Sequence, residues 1–431
     1  MTILAVFVIL CVTLAIGIAV PFAFGLAILY IAFVGDTDPS LYLASGHWGM
    51  NTIVLLAIPL FIMAGGIMNH GKIAGPMIDL AELFVGRLKG GLSAVVVLAS
   101  MTFGAISGSA AATLTCIGSV MLPRLRAANY PPGFSAALVA NAAPLGLLIP
   151  PSSIQIIYAW ITRQSVLKCF LATVVPGLIL VVLLCVVNFV MMSRQKLREG
   201  DPISREEWPA EMRKRTVRAT PALLMPVVIL GGIYGGIMTP TEAAGIAVLY
   251  AIPVGFFIYK GLNRDTFMEA LVETAVTTGA VMVMFFMVMI VSRLLIFENV
   301  PEIAYGFISS ISDNPIVILL MVNLVLIAIG MLMDDVSGVL LSAPLLLPIV
   351  QKVGIDPIHF AAIIGVNLGM GNITPPTAPL LYLGARVGNT AVASMLKPTF
   401  IMILFAWIPT LILTTYIPEI ALALPNFFLG K

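Results

Sequence analysis

The chain has 431 residues, of which 60% are hydrophobic and only 10% are charged. Soluble domains carry roughly 25% charged residues, so this composition excludes an ordinary soluble protein and predicts an integral, polytopic membrane protein. The net charge of +2 does not by itself argue for or against nucleic acid, but no basic stripe with interleaved aromatic residues is present, and no nucleic-acid partner is expected.

The cysteines and histidines predict neither a disulfide nor a metal cluster. The cysteines lie in apolar stretches without CxxC spacing, and no histidine has a His or Cys partner at ligand spacing, which favours structural roles. These residues are Cys11, Cys116, Cys169, Cys185, His47, His70 and His359.

The apolar run 2–34 is too long for one membrane span at 1.5 Å per residue. Gly17 and Pro21 divide it, which predicts two short helices or one sharply bent helix. The run lacks the basic start of a signal peptide, so we expect it to be retained as membrane helix.

Segment 35–49 carries Asp36 and Asp38 without Lys or Arg, and we place it outside the membrane. The next span is predicted over 50–69. The moderately amphipathic segment 73–88 is then expected to lie in the membrane interface as an arm.

Segment 90–122 is apolar and has basic residues on both flanks, Lys89 and Arg124 among them. Its middle contains Ser107-Gly108-Ser109, a turn signal. With both flanks inside, each arm has about 16 residues and reaches about 24 Å. This pattern predicts a re-entrant hairpin whose tip lies near the membrane midplane.

The following segment, 134–161, is predicted to cross the membrane with a break at 145–151. Proline interrupts a helix because it lacks the N–H and clashes with the preceding turn, and this segment contains Pro144 and Pro150-Pro151. Lipid tolerates broken backbone only where protein or a water-filled cavity surrounds it. A span over 167–192 returns to the inside.

The polar segment 193–218 contains eight Lys and Arg residues and is predicted as a cytoplasmic linker. After it, Thr239-Pro240-Thr241-Glu242 has the pattern of a helix start, which we favour over a catalytic carboxylate at Glu242. A helix over 243–259, a second arm over 263–274 and an outward span over 276–297 follow.

The second hairpin is predicted over 315–347, with its tip at 333–338. Asp334 and Asp335 lie in that tip, and ionisable groups at membrane depth are rare and usually functional. They could bind a cation or carry a proton; alternatively, the tip is misplaced and they face water. A broken span over 360–385, with its break at 369–376, and a last span over 398–416 complete the chain.

The two halves contain a repeat. A shift of 225 residues aligns 122–152 with 347–377 without a gap, and two interrupted hydrophobic segments at matching places indicate a transporter binding site. The identical pairs are Leu122/Leu347, Pro123/Pro348, Pro132/Pro357, Ala136/Ala361, Ala137/Ala362, Gly146/Gly371, Pro150/Pro375 and Pro151/Pro376.

The charge distribution orients the repeat. Threading the spans puts 17 Lys and Arg residues inside and five outside, in agreement with the positive-inside rule. The first hairpin then enters from inside and the second from outside. The predicted fold is therefore an all-α polytopic membrane protein with an inverted repeat, two re-entrant helical hairpins and two broken helices.

This fold divides the chain into six parts. They are scaffold helices and arm (1–89), a first repeat core (90–192), the linker (193–218), second-half scaffold helices and arm (219–314), a second repeat core (315–417) and a C-terminal tail (418–431).

The breaks can bind ions of both signs. Unwound carbonyl groups and helix C-termini suit sodium, whereas helix N-termini suit a carboxylate substrate. The candidate sodium ligands are Ser107, Gly108, Ser109, Asn141, Gly146, Pro150, Met333, Asp334, Gly338, Gly371, Thr374 and Pro375. The candidate substrate-binding residues are Ser109, Ser152, Asn367, Asn372 and Thr377.

Other functions for these residues remain open. Ser107 and Ser109 could serve as small residues for close helix packing, and the proline pairs could be simple kinks. The sequence has no GxxxxGK[ST] loop for ATP and no Ser-His-Asp or HExxH arrangement, so we expect neither nucleotide hydrolysis nor an enzyme.

Four motifs resemble the large membrane subunit of tripartite ATP-independent periplasmic (TRAP) transporters, and the likeness runs from PLFIMAG at 59–65 through Pro398. The motifs are ISGSAAAT (106–113), LIPPS (148–152), GGIMTPTEA (235–243) and ITPP (373–376). The resemblance implies an elevator-type, sodium-driven importer in a bacterial inner membrane. Family substrates are mostly carboxylates, best known as C4-dicarboxylates and sialic acid.

The resemblance also implies two partners, a small four-helix membrane subunit and a periplasmic substrate-binding protein. The sequence shows no N-terminal four-helix extension, so the small subunit is expected as a separate chain. The family varies at the second hairpin, where Asp334 and Asp335 lie. The alternatives are a stand-alone sodium-driven carboxylate transporter that needs no binding protein, and a channel or assembly subunit without sodium dependence.

Overall fold

The computed structural model describes residues 2–34, 39–86, 90–195, 197–198 and 207–430, and these ranges contain helices and no strand. Among them, eight helices are long and apolar enough to cross a membrane. A ninth span is formed if Pro132–Leu148 and Ser153–Thr162, which meet at 41°, are taken together. The all-α membrane fold is confirmed.

The N-terminal run forms two helices, as the first of the two sequence alternatives expects. Gly17 has a φ of +89° in the short connection between them, a conformation that glycine adopts without steric cost. The helices of this region are α1 (Thr2–Ala15), α2 (Val20–Val34), α3 (Pro39–Met50), α4 (Ala57–His70, preceded by a 3₁₀ turn at Ile53–Leu56) and α5 (Ala74–Val85).

Helix α3 lies in the segment that we place outside the membrane, where the sequence predicts no helix. Tyr42 of α3 is buried in a small cluster with Ile290 and Leu294, and this burial favours the helix. Asp36 and Asp38, on which the outside placement rests, lie outside the described residues.

The first repeat contains the predicted hairpin, whose second arm runs five residues further than expected. The break that follows is present and has two parts, because a single helical turn separates residues 143–144 from residues 149–152. The elements are α6 (Gly91–Ser107), α7 (Ala110–Ala127), α8 (Pro132–Ala142), α9 (Leu145–Leu148), α10 (Ser153–Thr162) and α11 (Val166–Met192).

Helix α12 (Trp208–Tyr234) begins inside the segment predicted as a linker. Arg215 pairs with Glu211 one turn earlier at 2.8 Å, and it also donates to the Asp79 carbonyl of α5 at 2.9 Å. These contacts support the helix beyond its apolar part.

The second half begins with α13 (Pro240–Pro253, continued by a π-helical turn at Val254–Ile258). The predicted helix start is confirmed as a capping box, because Thr239 and Glu242 exchange hydrogen bonds between side chain and backbone. The second arm and the following span, predicted as two elements, form one helix, α14 (Arg264–Phe297). No proline interrupts this helix, and no atom lies within 4 Å of where a Cβ on Gly279 would be. The helix therefore continues from the arm into the span without a break.

The second hairpin is present, but its tip is shorter than predicted. Asp334 caps α17, so Gly338 lies within the helix and outside the tip. The predicted tail also forms a helix, α22, which packs on α11. The elements are α15 (Val300–Ile311), α16 (Pro315–Leu332), α17 (Asp335–Lys352), α18 (Pro357–Gly371), α19 (Pro379–Gly388), α20 (Val392–Met402, with a π-helical turn at Ile403–Trp407), α21 (Ile408–Tyr416) and α22 (Pro418–Leu429).

The two repeats pack into each other in matching ways. Helix α10 packs on α17 of the second hairpin, and its counterpart α19 packs on α7 of the first. Helices α11 and α20, which follow the broken helices, likewise pack on α18 and α8. The 225-residue shift holds in space, since Ser109 and Asp334 are the N-caps of α7 and α17.

Candidate functional site

The tip of the first hairpin closes directly on the break of the first broken helix. Gly108 has a φ of +58°, and its carbonyl accepts hydrogen bonds from the Ser153 hydroxyl at 2.8 Å and the Ser153 N–H at 3.3 Å. A Cβ at Gly108 would lie 2.9 Å from the Pro151 carbonyl oxygen. The tip therefore requires glycine at this position for two reasons, the positive φ and the close approach to the Pro151 carbonyl.

Ser107 and Ser109 hold this tip in shape. The Ser107 hydroxyl lies 3.1 Å from that of Thr113, and the Thr113 hydroxyl donates to the Ser109 carbonyl at 2.8 Å. The Ser109 hydroxyl accepts from the Ala112 N–H at 3.5 Å, a long N-cap hydrogen bond.

The second tip is tied to its own break in a similar way. One Asp334 oxygen accepts from the Ser337 hydroxyl at 2.6 Å, and the other accepts from the Val336 N–H at 3.1 Å. The Asn372 amide, with its nitrogen turned to the tip, donates to the Met333 and Gly330 carbonyls at 3.1 Å each.

A pair of glycines joins hairpin and broken helix in each repeat. A Cβ at Gly104 would lie 2.6 Å from the Gly146 Cα, and a Cβ at Gly371 would lie 2.6 Å from the Gly330 Cα. Backbone therefore packs on backbone at both breaks. The Pro150–Pro151 and Pro375–Pro376 peptide bonds are both cis.

A cavity of about 300 Å³ lies between the two hairpin tips and the helices α4 and α14. The tips contribute Ser107, Ser109, Asp334 and Asp335, and the start of α10 contributes Ser153. Three predicted site residues, Ser107, Ser109 and Asp334, thus meet in one space although they belong to different repeats.

The remaining predicted ligands lie outside this cavity. Asn141 donates to the Ala137 carbonyl at 2.8 Å and Asn367 to the Asn323 amide oxygen at 2.8 Å, both within helix packing. The Thr374 hydroxyl donates to the Met370 carbonyl at 2.6 Å. The others are Gly108, Gly146, Pro150, Ser152, Met333, Gly338, Gly371, Asn372, Pro375 and Thr377. Their roles as ligands stay predictions.

Four of the predicted ligands have a buried oxygen that lacks a hydrogen-bond partner within the part of the chain that the structure describes. Ser152 and Thr377, equivalent under the 225-residue shift, each have such a hydroxyl. Asn141 and Asn367, which are not equivalent under this shift, each have such an amide oxygen. Because an unpaired buried acceptor is costly, these four oxygens need an explanation.

Sequence reasoning missed the wall of the cavity opposite the hairpin tips. Asn69 at the end of α4, and Glu273, Thr274 and Thr277 on α14, line it. Their signal in the sequence is weak, since Glu273 falls at the end of a segment predicted as an amphipathic arm.

The comparisons with known proteins place the chain in a family. Residues 7–420 match the family model described as tripartite ATP-independent periplasmic transporter, DctM component. The C4-dicarboxylate TRAP transporter large permease protein DctM of Pseudomonas aeruginosa is 38% identical over 375 residues, which cover 86% of each chain. The sialic acid TRAP transporter large permease protein SiaM of Vibrio cholerae is 34% identical over 389 residues, covering 89% of this chain and 88% of that one.

A solved structure shares the fold. The YdaH transporter of Alcanivorax borkumensis, titled as having an unusual topology, superposes with a TM-score of 0.58 at 14% identity, covering 88% of this chain and 89% of that one. The curated relatives are permease components of transporters rather than enzymes. The chain belongs to the TRAP transporter family, as a large permease of the DctM type.

Proposed function

We propose that this permease drives sodium-coupled import of a small carboxylate that a periplasmic binding protein delivers. It would act in a bacterial inner membrane, together with a small four-helix membrane subunit. The observation that carries the proposal is the cavity of about 300 Å³ in which both hairpin tips face α4 and α14.

The unpaired oxygens support sodium as the coupling ion. Ser152 and Asn141 in the first repeat, and Thr377 and Asn367 in the second, each have a buried oxygen without a partner among the described residues. Sodium ligated by these oxygens and by nearby carbonyl groups would satisfy them, and unwound backbone in transporters coordinates sodium in this manner. The ion is cargo, entering with the substrate.

Helix N-termini support an anionic substrate. Ala111 and Ala112 in the first turn of α7, and Ser153 at the start of α10, line the cavity. The positive end of the helix dipole favours a carboxylate at such ends. The relatives named as C4-dicarboxylate and sialic acid permeases agree with this substrate class.

The position of the cavity supports an elevator mechanism. One wall belongs to the interlocked repeats, and the other belongs to α4 and α14, which pack on each other. Sliding the repeats as one body against these helices would carry substrate across while the contacts at each break stay intact.

Uptake by the purified complex in liposomes tests this function. We expect uptake of sialic acid or succinate to require an inward sodium gradient and the binding protein, and to be indifferent to ATP. Full uptake with sodium replaced by choline would refute the coupling. Full uptake without binding protein would establish the stand-alone alternative, and conductance without sodium dependence would establish a channel.

A further inference from the structure

The two walls of the cavity differ in chemistry, and the difference bears on which carboxylate it accepts. The wall formed by the first hairpin and α10 presents three serine hydroxyl groups: Ser107 at the end of α6, Ser109 at the N-cap of α7 and Ser153 at the start of α10. The opposite wall presents Asn69 and Glu273. An inference from this asymmetry rests on the function proposed above.

The Glu273 carboxylate is held in place by His70 of α4. Its Oε2 lies 3.0 Å from His70 Nε2, and His70 Nδ1 lies 3.8 Å from Glu269 Oε2. The histidine thus joins α4 to two successive turns of α14. Glu273 lines the cavity and Glu269 does not. With 58% of its side chain exposed, Glu273 keeps acceptor capacity for a molecule in the cavity.

The ionisable residues that line the cavity are acidic, on the second hairpin tip as well as on α14. Among the residues that line it, all of them in the described ranges, there is no Lys, Arg or His, and the ionisable side chains are Glu273, Asp334 and Asp335. Asp334 already accepts two hydrogen bonds within its own helix cap. Glu273 and Asp335 are therefore the carboxylates that a substrate would meet.

A substrate with one carboxylate at the α7 and α10 ends would direct its other end to these acceptors. Hydroxyl or ammonium groups there would donate to Glu273 and to the Asn69 amide oxygen. A second carboxylate at that end would be repelled by the carboxylates of Glu273 and Asp335, and no basic side chain lines the cavity to offset the repulsion. Repulsion of this kind lets a binding site reject a competing ligand.

We infer that this permease selects a monocarboxylate whose far end carries hydroxyl or amine donors, such as a sugar acid, over a dicarboxylate. Glu273 is the specificity-determining residue, and His70 is its positioning residue.

The test measures ligand binding to the purified permease complex in sodium, without binding protein, as ligand-induced thermal stabilisation. The probes are sialic acid and gluconate as polyhydroxy monocarboxylates, and succinate as the dicarboxylate. In the wild type, we expect half-maximal stabilisation by a monocarboxylate at a concentration at least about tenfold below that for succinate. Glu273→Gln should reduce this preference to about threefold or less, because it removes the charge and keeps the shape.

Two variants serve as controls for this measurement. Glu269→Gln removes a carboxylate that contacts His70 but does not line the cavity, and it should keep the wild-type preference. Glu273→Asp keeps the negative charge and should retain most of the preference for the monocarboxylates over succinate. Size-exclusion profiles and melting without ligand report whether each variant folds.

Equal or stronger binding of succinate by the wild type would overturn this inference, and so would an unchanged preference in folded Glu273→Gln. Both results leave the proposed function intact, provided that sodium-dependent uptake is seen in liposomes. If no carboxylate stabilises the complex and uptake lacks sodium dependence, the proposed function fails as well.

Discussion

Gly371 lies so close to Gly330 that an added methyl group would prevent the second hairpin and the broken helix from packing as they do. A Cβ on Gly371 would lie within 2.9 Å of three backbone atoms of α16. These atoms are the Gly330 Cα, the Gly330 carbonyl carbon and the Ile327 carbonyl oxygen. Backbone cannot rotate away as a flexible side chain can. The close approach of hairpin and broken helix therefore depends on glycine at this position.

We expect Gly371→Ala to destabilise the protein by about 1–3 kcal/mol, the usual cost of forcing a methyl group into a packed interior. The thermal midpoint of the purified permease measures this. Gly245→Ala is the matched control, because a Cβ there meets no atom within 4 Å, and it should be neutral or slightly stabilising. Equal midpoints for the two variants would contradict the packing argument.

Ser107 is one of the three predicted sodium ligands that line the cavity. Ser107→Ala removes its hydroxyl and leaves the hairpin arms unchanged, so we expect the apparent sodium affinity of uptake to fall about tenfold, or ~1.4 kcal/mol. Ser119→Ala, further along α7, removes a hydroxyl that only donates to the Cys116 carbonyl and should leave the sodium curve unchanged. A wild-type curve for Ser107→Ala would remove it from the ligand set.

At the scale of elements, the arm α5 is joined to the first hairpin by one side chain. Arg124 at the end of α7 binds Asp79 and Glu82 of α5 through separate nitrogens, each at 2.7 Å. On its other side, the Asp79 carbonyl accepts from Arg215 of α12. The arm therefore links the repeat to the rest of the molecule.

Arg124→Gln should loosen this arm without unfolding the hairpin. Two ion pairs whose side chains are 28–35% exposed are worth about 1 kcal/mol together, so amide exchange over Ala74–Val85 should become about fivefold faster. Arg126→Gln is the control, since the one polar contact of Arg126 within the described ranges is a 3.4 Å hydrogen bond to the Gly388 carbonyl. If both variants exchange at the wild-type rate, the arm is held by its apolar packing alone.

The whole molecule consists, under the elevator proposal, of interlocked repeats that slide against α4 and α14. Gly65 of α4 and Ser107 of the first hairpin lie on opposite sides of that boundary, and a Cβ on Gly65 would be 3.3 Å from the Ser107 Cβ. That separation is slightly shorter than in most disulfides and close enough for a crosslink.

Oxidising the pair Gly65→Cys and Ser107→Cys, in a background without the native cysteines, should stop uptake, and reductant should restore it to the level of the unlinked double variant. The control pair is Gly49→Cys and Met289→Cys, which joins α3 to α14, where the corresponding Cβ separation is 3.6 Å. This second crosslink should not affect uptake. Undiminished uptake by crosslinked Gly65–Ser107 protein would rule out the elevator movement and require local gating.

The sequence by itself determined the membrane class, the hairpins and the broken helices. Their causes are local: long apolar runs, Gly108 at a tight tip, proline pairs that end a helix and Thr239 in a capping box. It also determined the repeat, because equivalent residues such as Ser109 and Asp334 perform the same capping task in both halves.

Only the tertiary structure decided the helical state of residues 39–50, 208–218 and 418–429. Each of these segments is polar or short, and it is stabilised by packing on α14, α5 or α11 rather than by its own pattern. The composition of the cavity was decided in the same way. Asn69 and Glu273 are distant in sequence from the hairpin tips, and only the packing of α4 and α14 against both repeats brings them to Ser107 and Asp335.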